Sequence, residues 1–143
     1  MIKTKRLYEP KENSDGTRIL ITRKWPRGQK KDRFDEWIKD LSPEEDTLNK
    51  WNDSKKTEED WKRYRVKFLP QMKESKAVNK IEELRQRSKK GETITLLCYC
   101  EKGKHCHRYI IKSLIENQRW KRKFIFTNCK SRLVSPYFIR EWY

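Results

Sequence analysis

Apolar and polar positions alternate with two different periods along this chain, and the changes of period mark its elements. Ile2 to Tyr8 alternates loosely and predicts a first strand. Pro10 to Gly16, PKENSDG, is turn chemistry. Arg18 to Thr22, RILIT, is a short β-branched run that predicts a second strand. It leads into Arg23-Lys24-Trp25-Pro26-Arg27-Gly28, where Pro26 and Gly28 demand a loop. Phe34, Trp37, Ile38 and Leu41 then follow the i, i+3, i+4, i+7 spacing of a short amphipathic helix. Ser42-Pro43-Glu44-Glu45 reads as a helix start, with a candidate N-cap, Pro at the first helical position and acids on the positive end of the dipole. Thr57-Glu58-Glu59-Asp60 starts another in the same way, carrying Trp61, Tyr64, Arg65 and Phe68 on one side. Met72 to Ser88 predicts a polar helix with Val78, Ile81 and Leu84 inward, stopped by Lys89-Lys90-Gly91. Glu92 to Cys98, ETITLLC, is the most apolar segment and predicts a buried strand. A loop with Gly103 follows, then a helix from about Lys104 to Gln118 with Ile110, Ile111, Leu114 and Ile115 inward.

Strand, helices, strand, helix is the order of an α/β domain, here with a small, mostly parallel sheet flanked by helices. Residues 1–118 carry that pattern. Residues 119–143 alternate basic and aromatic groups and read as a C-terminal extension packed on, or extending, the same domain. Ligands of such sheets sit outside the carboxyl ends of the strands. Two loops leave carboxyl ends, the one holding Arg23 to Gly28 and the one from Cys98 to Arg108. The expectation is that they share one cleft.

Composition sharpens this picture. With 143 residues the chain makes one domain with a modest core. Charged residues are 41% and hydrophobic ones 34%, close to the border with disorder. Six Trp, six Tyr and five Phe argue for a packed core instead. No run approaches about 18 apolar residues, and the basic start lacks an apolar stretch, so neither a membrane span nor an export signal is expected. A cytoplasmic protein fits these features. The formal net charge is +16. Residues 32–60 form an acidic block, while the basic excess lies at the two ends and peaks after residue 102. A field of this sign attracts polyanions, so nucleic acid is a candidate partner, with DNA and RNA not distinguished. Arg119, Lys121, Arg122 and Lys123, interleaved with Trp120, Phe124 and Phe126, are the candidate contacts. The plainer alternative is a solvated charged surface.

The cysteines bring in chemistry. Three of four, Cys98, Cys100 and Cys106, fall within nine residues, beside His105 and His107. This clustering suits reduced thiols with a local role better than a disulfide scaffold. The free amides and dipole of a helix N-terminus favour an anion and lower a thiol pKa, so Cys106, placed in the first turn, is the candidate nucleophile. His107 and Glu101 are candidate proton-transfer groups, and Arg108, with Arg23 and Arg27, a candidate anion grip. No cofactor is expected. A bound metal is disfavoured because adjacent residues on a helix turn splay apart and no second knuckle exists. Buried structural cysteines remain an open alternative. Seven residues separate Cys100 from Arg108, too many for a phosphatase loop.

Several segments in order carry a resemblance. Lys5-Arg6-Leu7-Tyr8-Glu9-Pro10 precedes an Asp15-Gly16 turn. Arg18-Ile19-Leu20-Ile21 leads into Trp25-Pro26-Arg27-Gly28. Asp35 to Pro43 bears Trp37, and Leu48-Asn49-Lys50-Trp51 and Trp61 to Tyr64 follow. Thr95-Leu96-Leu97-Cys98 leads into Cys100-Glu101-Lys102 and Cys106-His107-Arg108. Over residues 1–118 the chain resembles the YeaO-like family, domain of unknown function 488. The resemblance implies the α/β fold and brings no settled activity. Three functions therefore stand as expectations. The first is a nucleic-acid-associated protein whose anion site acts on nucleic acid or a nucleotide. The second is a thiol-dependent enzyme on a small anionic metabolite, and the third a non-catalytic binding module.

Overall fold

The structure, a computed structural model, describes residues 1–100 and 105–117. Four parallel strands form one sheet in the order β1-β4-β2-β3: β1 is Ile2–Arg6, β2 Thr17–Leu20, β3 Glu36–Trp37 and β4 Ile94–Cys98. The apolar run of β4 takes an interior position in the sheet, between β1 and β2, and all five of its residues are buried. Helices α1 (Glu45–Asp53), α2 (Glu58–Gln71), α3 (Ser75–Lys89) and α4 (His107–Glu116) complete the expected α/β domain.

The two faces of the sheet are covered differently. Ile2, Ile19, Ile94 and Leu96 join buried residues of all four helices, among them Trp51, Phe68, Ile81 and Ile111, in one core. Alternate residues point the other way, where Leu20 and Leu97 pack with Leu7 and Phe34, flanked by Trp37 and Tyr99. Among the described residues, that second, smaller core is built by strands and loops.

The helix expected from Phe34, Trp37, Ile38 and Leu41 does not form. Glu36 and Trp37 instead pair with Ile19 and Leu20 as β3, between short 3-10 turns at Lys31–Arg33 and Lys39–Leu41. The backbone N–H groups of Asp35 and Ile38 donate to the carbonyls of Arg18 (2.8 Å) and Leu20 (2.9 Å). Phe34 enters the smaller core while Ile38 and Leu41 enter the larger one. A single helical stripe could not serve both faces. Ser42 is likewise not the cap of α1, whose N-cap is Glu44. Ser42 is buried, and its carbonyl accepts from Gln71 Nε2 at 2.8 Å. Thr57 does cap α2: its Oγ1 accepts from the Asp60 N–H (3.2 Å) and the Asp60 carboxylate accepts from the Thr57 N–H (3.0 Å).

Gly16 is a position where only glycine fits. Its φ is +64°, and a Cβ there would lie 2.1 Å from the Thr93 carbonyl oxygen that accepts from Thr17 N–H. The close approach sets the register of β2 against β4. Among the described residues, no helix is long and apolar enough to cross a membrane.

Candidate functional site

Because β2 and β4 are parallel neighbours, the loops that follow them leave the same edge of the sheet. The Tyr99 hydroxyl donates to the Lys24 carbonyl, and Thr22 Oγ1 donates to the same oxygen at 3.0 Å, so the two loops are tied together. Trp25 is 38% exposed and sets its ring edge-on to Phe34 (5.1 Å) and Trp37 (5.3 Å). Arg27 is exposed and Arg23 half-buried in that loop.

Three sulfurs meet at this edge. The Sγ atoms of Cys98, Cys100 and Cys106 all lie within 4.8 Å of one another. Cys98 ends β4 and Cys100 sits in the bend two residues past it, and their sulfurs are 3.6 Å apart. Cys106 reaches them because it is not in the first turn of α4. It is the N-cap, with extended φ −153° and ψ 142°, and its side chain turns back toward the strand end. The splaying expected for consecutive residues on a helix therefore does not apply. All three cysteines are free thiols, with Cys98 and Cys106 buried.

The electrostatics of the two buried thiols run in opposite directions. Thiol hydrogen bonds from Cys100 and Cys106 hold the Cys98 thiol well below the ordinary range, helped by the Cys100 backbone N–H and the Arg108 charge, against the effect of burial. Cys106 is pushed well up, because its proton bonds Cys100 and Cys98 and it is buried. Contacts among the three sulfurs thus shift the two buried thiols in opposite directions. Tyr64 of α2 borders the group, and burial followed by the negative charge of the sulfurs keeps its phenol protonated.

His107 is fully enclosed. Its Nε2 lies 2.7 Å from the Ile21 carbonyl, which can only accept, so Nε2 carries the proton. Nδ1, with its lone pair, lies 3.8 Å from Cys106 Sγ. Burial, aided by the Arg108 charge, lowers its pKa and favours the neutral ring. Arg108 is 1% exposed. Its Nη1 donates to the carbonyls of Cys100 (2.9 Å), Lys5 (3.4 Å) and Cys98 (3.5 Å), tying the carboxyl ends of β1 and β4, and Nη2 donates to Tyr109 Oη at 3.1 Å. His105 belongs to the other helices: it stacks on Trp61 (4.7 Å) with Nε2 2.7 Å from Glu58 Oε1.

Of the residues expected at the site, Cys106, His107 and Arg108 converge, while Arg23 and Arg27 stand in the neighbouring loop. Glu101 and the cationic group Arg119, Lys121, Arg122 and Lys123 lie outside the described residues. The weight of Cys98 and Cys100 was missed. The signal available was the clustering of Cys98, Cys100 and Cys106 within nine residues.

The chain matches the uncharacterised protein YeaO of Escherichia coli K12 at 54% identity over 44 residues, which is 29% of this chain and 38% of YeaO. It matches an uncharacterised protein of Mycobacterium tuberculosis H37Rv at 38% identity over 52 residues, 35% of this chain and 43% of that protein. The matched segments thus span less than half the length of either relative. No solved structure matches it significantly. The family model described as the active DUF488-N3 subclade matches residues 2–119, and the chain belongs to that family.

Proposed function

We propose that this protein is a thiol-dependent enzyme whose centre is the group of Cys98, Cys100 and Cys106, acting on an anionic substrate at the carboxyl edge of the sheet. The carrying observation is the meeting of three sulfurs within 4.8 Å at the edge where an α/β sheet binds its ligands. In this reading Cys98 is the nucleophile and Cys100, half-buried, lies on the approach to it. His107, neutral with its lone pair toward Cys106, accepts that thiol's proton as charge moves through the group. Arg23 and Arg27 draw the anion in, and Trp25 offers a flat apolar wall beside them. Arg108 holds the strand ends that carry the sulfurs, and Glu101 is a further candidate for proton transfer. The subclade's description as active agrees with a catalytic role.

Paired alkylation tests this. Neutral iodoacetamide and anionic iodoacetate are applied to the reduced protein at pH 7, with glutathione as the free-thiol reference and peptide mapping as the readout. The expected result is labelling of Cys98 or Cys100 at least as fast as glutathione, with a preference for iodoacetate that glutathione lacks. Labelling much slower than glutathione by both reagents overturns the enzyme reading and leaves a binding module with structural cysteines.

The charge of +16 favours a second reading, in which the anion is nucleic acid and basic residues of 119–143 supply the contacts. Replacing Lys121, Arg122 and Lys123 by Ala should then flatten the salt dependence of DNA or RNA binding by up to about three units. An unchanged slope removes that segment from the interface.

A further inference from the structure

We infer that Cys98, Cys100 and Cys106 form a binding site for one thiophilic metal ion of the Zn2+ class, held by three thiolates with a fourth position left for solvent or substrate. The inference rests on the same three-thiol edge as the proposed function and adds an occupant to it.

Geometry comes first. A tetrahedral ion with metal–sulfur bonds of about 2.3 Å sets its sulfurs about 3.8 Å apart. Cys98 and Cys100 stand 3.6 Å apart, and no pair of the three exceeds 4.8 Å. Shifts of about 1 Å or less would close a pocket of that size. Cys98 ends an interior strand, Cys106 is the N-cap of a helix, and Cys100 sits in the bend two residues past the strand. This suits a preformed site better than one that must be assembled.

The surroundings are those of a ligand set. Arg108 Nη1 donates to the carbonyls of both Cys98 and Cys100 and so fixes the backbone of two ligands. Three thiolates around a divalent ion carry one net negative charge, and the buried Arg108 guanidinium, with the N-terminus of α4, offsets it. His107 is tied through Nε2 to the Ile21 carbonyl, which fixes its ring with Nδ1 3.8 Å from Cys106 Sγ. Its role is positioning. The packing alternative treats the cysteines as small apolar residues, which would lie among carbon side chains rather than against one another. Sulfur donors select a soft or borderline ion over Mg2+ or Ca2+.

Binding is a ligand exchange without oxidation: three S–H bonds give way to three metal–sulfur bonds, and each thiol still protonated releases its proton to buffer. A thiolate held on zinc keeps a lone pair, so the proposed nucleophile survives in the loaded site.

The test titrates Co2+, and separately Cd2+, into the full-length reduced protein freed of metal, with thiolate-to-metal charge-transfer absorption as the readout. One equivalent should saturate the band, Zn2+ should displace Co2+, and Mg2+ should do nothing. Cys129→Ser, at the fourth cysteine of the chain, which lies outside the described residues, should bind as the parent does. Cys100→Ser, at the least buried of the three, should weaken binding at least tenfold with an unchanged circular dichroism spectrum. Cys98→Ser and Cys106→Ser should do the same or more. No stoichiometric band, or a band that survives Cys100→Ser and is lost in Cys129→Ser, overturns the site. Fast alkylation of Cys98 or Cys100 without a band sinks the metal and leaves the enzyme reading. A band without fast alkylation of the metal-free protein does the reverse.

Discussion

The two edges of this sheet handle polar groups in opposite ways. At the amino edge the groups are hard, charged and matched to one another. Arg87 Nη2 bonds Glu36 (2.7 Å) and Glu92 (2.8 Å), and Thr17 Oγ1 donates to Glu92 at 2.6 Å. Just before β2, the buried Asp15 carboxylate accepts from Arg18 and, at 2.9 Å, from Lys5. At the carboxyl edge the buried groups among the described residues are soft and mostly neutral, three thiols, an imidazole and the Arg108 guanidinium turned to carbonyls, with Arg23 and Arg27 in the loop beside them. Ion pairs that satisfy each other lock strands to helices and leave nothing to offer a ligand. Thiols bond one another weakly, so a group of them can be displaced toward an electrophile or an ion. The comparison separates an edge that fastens the fold from one equipped for chemistry.

Substitutions can break this division, and the largest expected effect lies at the fastening side. Asp15→Ala leaves Arg18, fully buried, without its carboxylate. A loss of about 3–5 kcal/mol is expected in urea unfolding. A loss under about 1 kcal/mol would show that this pair does not fasten the fold.

Arg108→Ala should come next, at about 2–4 kcal/mol, since three strand-end carbonyls lose a donor. Arg108→Lys should recover only part, because an ammonium cannot span the same carbonyls. Full recovery by Lys would mean that charge alone matters there.

Acid should act on the amino side. Burial alone would raise the Asp15 carboxyl, but the Glu12 backbone N–H, Lys5 and Arg18 outweigh it and hold it at about 2. Hydrogen bonds from Arg87 and Thr17 hold Glu92 at about 2 as well. A depressed folded pKa gives stability that is present above the ordinary carboxylate range and lost as pH falls through it toward 2. Asp15 alone should account for about 2.5 kcal/mol of that loss. Urea midpoints measured from pH 5 to pH 2 should therefore fall steeply, and the slope should flatten in Asp15→Asn. An equal slope in the variant would assign acid sensitivity elsewhere.

Trp25→Ala should be the mildest, costing about 1 kcal/mol through two edge-on ring contacts. Its effect on any ligand of the carboxyl edge should exceed its effect on folding. Thermal unfolding with and without bound anion would compare the two, and equal shifts would mark Trp25 as a plug for the smaller core.

Local signals in the chain were strong enough to specify much of this protein. Pattern and turn chemistry give the parallel α/β order, a buried strand within Glu92–Cys98 that forms over Ile94–Cys98, and the Thr57 cap, because each depends on neighbours in sequence. The same local logic brings the Arg23–Gly28 loop and the Cys98–Arg108 segment to one edge once the strands are parallel. Tertiary structure decided the rest. Phe34, Trp37, Ile38 and Leu41 mimic a helix, and only pairing with β2 and division between two cores make them a strand and turns. Whether Cys106 joined its partners hung on a backbone choice at one residue, N-cap rather than first turn. The opposite shifts of the Cys98 and Cys106 thiols hung on contacts among three sulfurs. Periodicity cannot encode such contacts, since they arise between segments that meet only when the sheet is built.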